Sequence, residues 1–179
     1  AGRPLLAHVL DAASGLEAEA TLVVYGHGGQ QVPDAFRDRA DLEWVPQAEQ
    51  HGTGHAVAQA MPRIPDDHLV LVLYGDVPLV QPGTLARLVA EAGPGTLSLL
   101  SVMLPDPTGY GRIVRDGAGN VVRIVEHRDA NAKERAIHES NTGLMCVPAG
   151  RLRQWLASLR NDNAQGEYYL TDVIVAAVR

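Results

Sequence analysis

The run VLVLYGDVPLV, Val70 to Val80, carries a strongly apolar strand to a glycine, a carboxylate and a turn containing Pro78. Asp76 at that point has two readings. After Gly75 it can hydrogen-bond its own backbone in a turn, or it can meet a phosphate-bound metal, because open α/β sheets bind ligands outside the carboxyl ends of their strands. A hard cation such as Mg²⁺ takes carboxylate oxygens and keeps waters and substrate phosphate oxygens as its other ligands, so one well-placed Asp suffices as an anchor. Three further groups of polar residues follow apolar runs. QAEQHGTGHA, Gln47 to Ala56, presents Gly52, Thr53 and Gly54 as backbone N–H and hydroxyl donors to a flat or anionic ligand at a helix N-terminus. An N-cap by Thr53 is the structural alternative, and the loop matches neither the dinucleotide fingerprint nor the Walker loop. DPTGYGR, Asp106 to Arg112, sets a glycine on each side of Tyr110, either for close approach of backbone to a ligand or for a plain turn. Glu126 after VVRIVEH and Asn141 in ESNTG supply a carboxylate and an amide at strand ends, the pair that sugar hydroxyl and amide groups require. Solvated edge residues are the alternative there.

Other chemistries are excluded by composition and spacing. No serine stands in an elbow motif, and the single cysteine, Cys146 in GLMCVP, reads as a buried, inert thiol. An internal disulfide and a cysteine-based zinc cluster are thereby ruled out. His51 and His55 have helix-face spacing, but the glycines between them argue against a helix and hence against a zinc pair. What remains is chemistry in which the protein positions substrates and a metal handles charge, as in phosphoryl or nucleotidyl transfer. The 179 residues are 46% hydrophobic and 20% charged, which is ordinary composition for one globular domain. With a net charge of -6 and no Lys or Arg run long enough to track a phosphate backbone, a nucleic-acid partner is not expected, and a single nucleotide is not excluded. Every apolar run is too short to span a bilayer and no leader is present, so no membrane partner and a cytoplasmic location are expected.

These candidate residues need elements to hold them. Pro4 to Ala13 reads as a helix started by proline and stopped by Gly15. TLVVYG, Thr21 to Gly26, is a continuous apolar run of the kind buried on both faces in a parallel sheet. QQVPDAFRDRA is a short helix, LEWV a strand, HAVAQAM a helix, and the stretch with Asp76 the next strand. PGTLARLVAEA (helix) and TLSLLSVML (strand) follow, and then two short runs around DGAGN form a hairpin. SNTGLMCVP is a strand, RLRQWLASL a helix with Leu152, Trp155, Leu156 and Leu159 on one stripe, and YYLTDVIVAAVR a final helix. Alternation of strand and helix predicts an α/β domain with a mostly parallel sheet and an antiparallel hairpin addition.

Taken together, VYGHGG, WVPQAEQHGTGHA, LVLYGDVPL, DPTGYGRIVR, GNVVRIVEHRDA, ESNTGLMCV and NDNAQGEYYLTD resemble a known family. The family is the uridyltransferase domain of the bacterial bifunctional glucosamine-1-phosphate acetyltransferase / N-acetylglucosamine-1-phosphate uridyltransferase. The resemblance runs from about Gly2 to the end of the chain. It implies a Rossmann-like nucleotide-diphospho-sugar transferase fold and transfer of UMP from UTP to N-acetylglucosamine-1-phosphate. The products are UDP-N-acetylglucosamine, for peptidoglycan and lipopolysaccharide precursors, and pyrophosphate. By motif it implies that Gln47, Gly52 and Thr53 read uracil, that Tyr74 and Gly75 border the ribose and sugar, and that Asp76 binds the catalytic Mg²⁺. Gly111, Glu126 and Asn141 would hold the N-acetylglucosamine moiety, with Tyr169 and Thr171 lining the same pocket.

Two departures from the family pattern matter. Its opening buried strand and G-x-G-T-R-M loop, which grips the triphosphate, would precede Ala1-Gly2-Arg3-Pro4, and its second metal ligand, an Asn, would follow Arg179. The left-handed β-helix acetyltransferase domain that makes the family's full enzyme a homotrimer would also follow. Residues 1–179 thus read as a partial uridyltransferase domain, from which turnover in isolation is not expected. A non-catalytic module that binds UDP-N-acetylglucosamine, and a nucleotidyltransferase for another sugar, are the competing readings.

Overall fold

The computed structural model describes residues 2–178; Ala1 and Arg179, at the ends of segments read above, lie outside the described residues. Helix α1 (Leu5–Ala13) leads to β1 (Thr21–Tyr25), α2 (Gln31–Ala35), β2 (Leu42–Pro46), α3 (Thr53–Ala60) and β3 (Leu69–Val72). Then come α4 (Pro82–Ala90), β4 (Ser98–Met103), the hairpin β5 (Arg112–Arg115) and β6 (Val121–Val125), and α5 (Ala132–Arg135). Strand β7 (Glu139–Pro148), α6 (Ala149–Ala157), a 3-10 turn Leu170–Asp172 and α7 (Val173–Ala177) complete the chain. The expected α/β class stands. Helix α1 does end near Gly15, but the left-handed residue that turns the chain is Glu17, at φ 51°. The final apolar segment divides into the 3-10 turn and α7, where a single helix was expected.

Strands β1 and β2 pair in parallel, from Thr21 with Leu42 to Tyr25 with Pro46. The second sheet has five strands, in which β7 pairs antiparallel with β3, β4 and β5. Because β3 and β4 both run against β7, they run along one another, as the β3-α4-β4 alternation predicts; β7 has entered between them. Such an insertion cannot be read from local sequence, since it depends on pairing with β3 more than 70 residues away along the chain. The hairpin forms as expected. Asp116 Oδ1 accepts from the N–H groups of Ala118 and Asn120, both at 2.9 Å, and Gly119 supplies the positive φ of 88°.

Strand β7 also divides the core. Its alternate residues face opposite layers. Met145 and Val147 join Ile113, Ile124, Leu152 and Val173, whereas Leu144 and Cys146 join Leu85, Leu88 and Ala12 of α1 and α4. Cys146 is fully buried, and burial pushes its thiol above the ordinary value, as suits an inert core residue. Helix α5, absent from the expectations above, is set by a capping box: Glu134 N–H donates to Asn131 Oδ1 at 3.0 Å and Asn131 N–H to Glu134 Oε2 at 2.8 Å.

The two sheets are not hydrogen-bonded to one another among the described residues. Between the free edges of β1 and β3 lies a largely apolar cavity of about 860 Å³, roofed by Leu6 and Leu10 of α1 and floored by Val57 and Ala60 of α3. Strand β1, expected to be buried on both faces, is only half-buried along its whole length because one edge opens onto this space.

The seat of α6 on β7 generates a stability prediction. Leu152 is completely buried, so Leu152→Ala is expected to lower the unfolding free energy by about 2–5 kcal/mol. Urea denaturation with an unchanged m-value checks it; a loss under about 1 kcal/mol would place Leu152 outside the cooperative core.

Candidate functional site

The loop between β2 and α3 begins on the sheet: Gln47 N–H donates to the Tyr25 carbonyl at 2.7 Å, carrying the β1-β2 ladder one residue further. The chain then passes Gly52, at φ 103°, into α3. Thr53 is not the N-cap. Gly52 holds that position, and the Thr53 hydroxyl accepts from Leu170 N–H at 3.0 Å. Gly54 N–H donates to the Tyr168 carbonyl at 2.8 Å, and Tyr168 N–H to the His51 carbonyl at 2.8 Å. Segment 163–171 is thereby stapled to segment 51–54. A Cβ on Gly52 would lie 2.8 Å from the Tyr168 carbonyl oxygen, so glycine here serves the close approach of two backbones.

On the far side of that staple lies a polar cavity of about 260 Å³. Of the candidate residues, Thr53, Tyr74, Gly111, Glu126, Asn141, Tyr169 and Thr171 line it. Backbone bonds fix its frame: Asn141 N–H donates to the Gly111 carbonyl at 2.8 Å, and Gly143 N–H donates to Asn141 Oδ1 at 3.0 Å. Asn141 Oδ1 is thus engaged, while its amide nitrogen bonds no residue among those described and is left for a ligand. The Thr171 hydroxyl donates to Glu126 Oε1 at 3.0 Å, and Gln165 Nε2 to the Tyr169 hydroxyl at 2.8 Å. The Tyr74 ring lies against Gly143, whose φ is 83° and whose added Cβ would meet the ring at 2.5 Å.

The electrostatics of the cavity are acidic. Burial pushes the Glu126 carboxyl above its ordinary value, the Thr171 hydroxyl pulls it down, and Asp172 and Asp129 add repulsion. Burial raises Asp172 also, with Asp129 and Asp162 adding to it. Burial raises the Tyr74 phenol, against the opposing hydrogen bond to Thr53. No Lys or Arg side chain lines the cavity. Carboxylate, amide and hydroxyl groups without a cation suit a neutral, hydroxyl-rich ligand better than a phosphate.

Four candidates stand off this wall. Gln47 and Gly52 belong to the adjoining loop, joined by Gln47 Nε2 donating to the Gly52 carbonyl at 3.1 Å. Gly75 lines the larger cavity between the sheets. Asp76 is exposed, enters none of the ion pairs among the described residues, and lies close enough to Tyr74 for its charge to raise the phenol's pKa. Among the described residues no group of three or more His, Cys, Asp or Glu is placed to enclose a metal. One free carboxylate is nevertheless the donor set that Mg²⁺ uses when substrate phosphates and water complete its shell. His51 turns to Glu49 at 2.8 Å, and His55 faces Gln47 and Gln59.

Residues 1–102 match the MobA-like NTP transferase domain. The chain belongs to that NTP transferase family. The bifunctional protein GlmU of Azoarcus sp. (strain BH72) is 61% identical over 178 residues, covering 99% of this chain and 39% of that protein. GlmU of Alkalilimnicola ehrlichii is 62% identical (99% of this chain, 38% of that protein), and GlmU of Thiobacillus denitrificans 60% (100% and 39%). The NTP transferase chain therefore spans about two fifths of the length of these relatives, and the resemblance read from its motifs is borne out. The fold is that of UDP-glucose pyrophosphorylase: the structure complexed with UDP-glucose superposes with a TM-score of 0.77 at 15% identity, covering 99% of this chain and 76% of that one. The apo form gives 0.69 at 15% identity, covering 97% and 75%.

Sequence reasoning did not single out Gly143, Gln165 or Glu167, which also line the cavity. Gly143 carried a signal, since a glycine inside a strand marks close approach of another group. The other two lie in NAQGEYY and become visible only once that segment is placed against residues 51–54.

The raised Glu126 carboxyl sets a pH prediction. Its folded-state pKa exceeds the ordinary 4.5, so its favourable contribution is complete below that value and is lost as pH rises through the folded-state pKa. Glu126→Gln, similar in shape and always neutral, is expected to melt above the wild type near about pH 7 and to lose that advantage toward about pH 4. A melting difference independent of pH would contradict a buried charge at this position.

Proposed function

We propose that this chain is the uridyltransferase part of an enzyme that transfers UMP from UTP to N-acetylglucosamine-1-phosphate, giving UDP-N-acetylglucosamine and pyrophosphate. The observation that carries the reading is the cation-free cavity in which the free amide nitrogen of Asn141 and the Glu126 carboxylate meet the hydroxyls of Thr171 and Tyr169. Its volume lies below the roughly 300–1,000 Å³ that encloses drug-sized ligands and suits a single sugar ring. The sugar and the nucleotide are those implied by the family resemblance of the motifs, which also carries the expectation of a cytoplasmic homotrimer with a β-helix acetyltransferase domain; the identity with the GlmU proteins supports that resemblance. Among the described residues no helix is long and apolar enough to cross a membrane.

In this reading the sugar is held by Gly111, Glu126, Asn141, Tyr169 and Thr171, with the ring of Tyr74 packed on Gly143 as one wall. A Cβ at Gly111 would lie 3.0 Å from the Ile124 methyl and 3.3 Å from Glu126 Oε1, so glycine leaves room beside the carboxylate that a sugar hydroxyl would take. Gln47, Gly52 and Thr53 hold uracil across the staple, and Tyr74 and Gly75 border the ribose. A phosphate oxygen of the sugar-1-phosphate attacks the α-phosphorus of UTP, the bond to the β-phosphate oxygen breaks, and pyrophosphate leaves; no residue forms a covalent intermediate. The chain's contribution is to orient the two substrates and exclude water. Asp76 would hold Mg²⁺, which supplies Lewis acidity to the phosphate oxygens when bound.

The cavity between β1 and β3 is bounded by an edge of each strand that has no strand partner among the described residues, and its lining is largely apolar. We infer that a strand of the same protein, preceding Leu5, fills it and delivers the triphosphate loop to the carboxyl ends of β1 and β3. Adding the native upstream sequence is then expected to raise the melting temperature and to abolish binding of a hydrophobic dye. Unchanged melting and dye binding would contradict that placement.

In the protein at its natural length, Asp76→Ala is expected to reduce Mg²⁺-dependent pyrophosphate release from UTP and N-acetylglucosamine-1-phosphate by about a thousandfold or more. Because Asp76 is exposed, the melting temperature should stay within a degree or two. Retained turnover would remove Asp76 from the metal role.

A further inference from the structure

Gln47 is 9% exposed, and the direction of its side-chain amide is determined by its neighbours. The Gly52 carbonyl can only accept, and it lies 3.1 Å from Gln47 Nε2, so the NH2 end of the amide faces the loop. The second N–H of that group has His55 Nδ1 at 3.0 Å. With both N–H groups engaged, the end left for a ligand is Oε1, which accepts no hydrogen bond among the described residues.

This arrangement requires a bare Nδ1, and hence a neutral ring with its proton on Nε2. At Nε2 the Gln59 amide nitrogen lies 3.1 Å away. A neutral imidazole has one bare nitrogen and can accept from only one N–H donor, so one glutamine must present its oxygen. Gln47 is pinned by the Gly52 carbonyl at 3.1 Å, whereas the other tie of the Gln59 nitrogen, to the His55 carbonyl, is 3.4 Å long. Gln59 is the one that turns, an exchange of isosteric ends. The opposite tautomer would set N–H against N–H at Gln47 and release that amide.

We propose that His55 is a positioning residue for nucleobase selectivity: by accepting from Gln47 it fixes Oε1 as the only group that amide offers a base. This rests on the uridine reading above and adds to it. Uracil carries N3–H, a donor that Oε1 accepts; cytosine carries a bare N3 that would face Oε1 lone pair to lone pair. A Gln47 free to turn would take either base.

The test is kcat/KM for UTP and CTP in the protein at its natural length, with wild type, His55→Leu and His55→Asn. Asparagine can place an acceptor oxygen near the position of Nδ1; leucine cannot. His55→Leu is expected to reduce the UTP-over-CTP preference about tenfold or more, and His55→Asn to restore most of it. An unchanged preference in His55→Leu, with turnover of both nucleotides reduced equally, overturns the proposal in favour of a packing role. So does an asparagine variant that behaves like leucine. A wild type that turns over both nucleotides equally, or neither, overturns the uridine reading and the role of His55 with it.

Discussion

Among the described residues, β7 is hydrogen-bonded to β3, β4 and β5, and the site depends on that pairing. Its apolar C-terminal half is locked between Leu69–Val72 and Ser98–Leu99, with alternate residues buried in two different layers. A slip of one residue would send Met145 and Val147 into the layer of Leu144 and Cys146, so the register has no neighbouring alternative of comparable energy. The polar N-terminal half inherits this precision. Asn141 and Gly143 are fixed opposite Gly111 and Tyr74 because residues 144–147 cannot move.

A second constraint ties sequence-distant loops together. Segment 163–171 crosses segment 51–54 with backbone bonds at His51 and Gly54, and the Thr53 hydroxyl receives Leu170 N–H. The glycines of HGTG answer first to this crossing and only then to a ligand. Thr53, Glu167, Tyr169 and Thr171 of the crossing itself line the acidic cavity, and the loop carrying Gln47 adjoins it. Asp76 lines neither this cavity nor the one between the sheets, and is exposed and without an ion pair among the described residues.

Much of this was legible in the chain. The hairpin around DGAGN, the inert Cys146 and the α/β class follow from turn chemistry and apolar patterning, and seven of the candidate residues line one cavity. What could not be read was pairing at a distance. The entry of β7 between β3 and β4, the half-burial of β1, and the parts of Gln165 and Glu167 depend on contacts that no local pattern encodes. The capping box Asn131–Glu134 could have been read, since N-x-x-E is a local signal. The tautomer of His55 could not, because it depends on which carbonyl lies beside Gln47.

The account stands on a sugar nucleotide lying across the HGTG crossing, with its sugar in the acidic cavity and its base on the other side. A crystal structure of the full-length protein with UDP-N-acetylglucosamine tests this most directly. The expected result is the sugar enclosed by Gly111, Glu126, Asn141 and Thr171, with uracil at Gln47 and the diphosphate beside Asp76. Sugar density outside that cavity, or uracil placed away from Gln47, would contradict it.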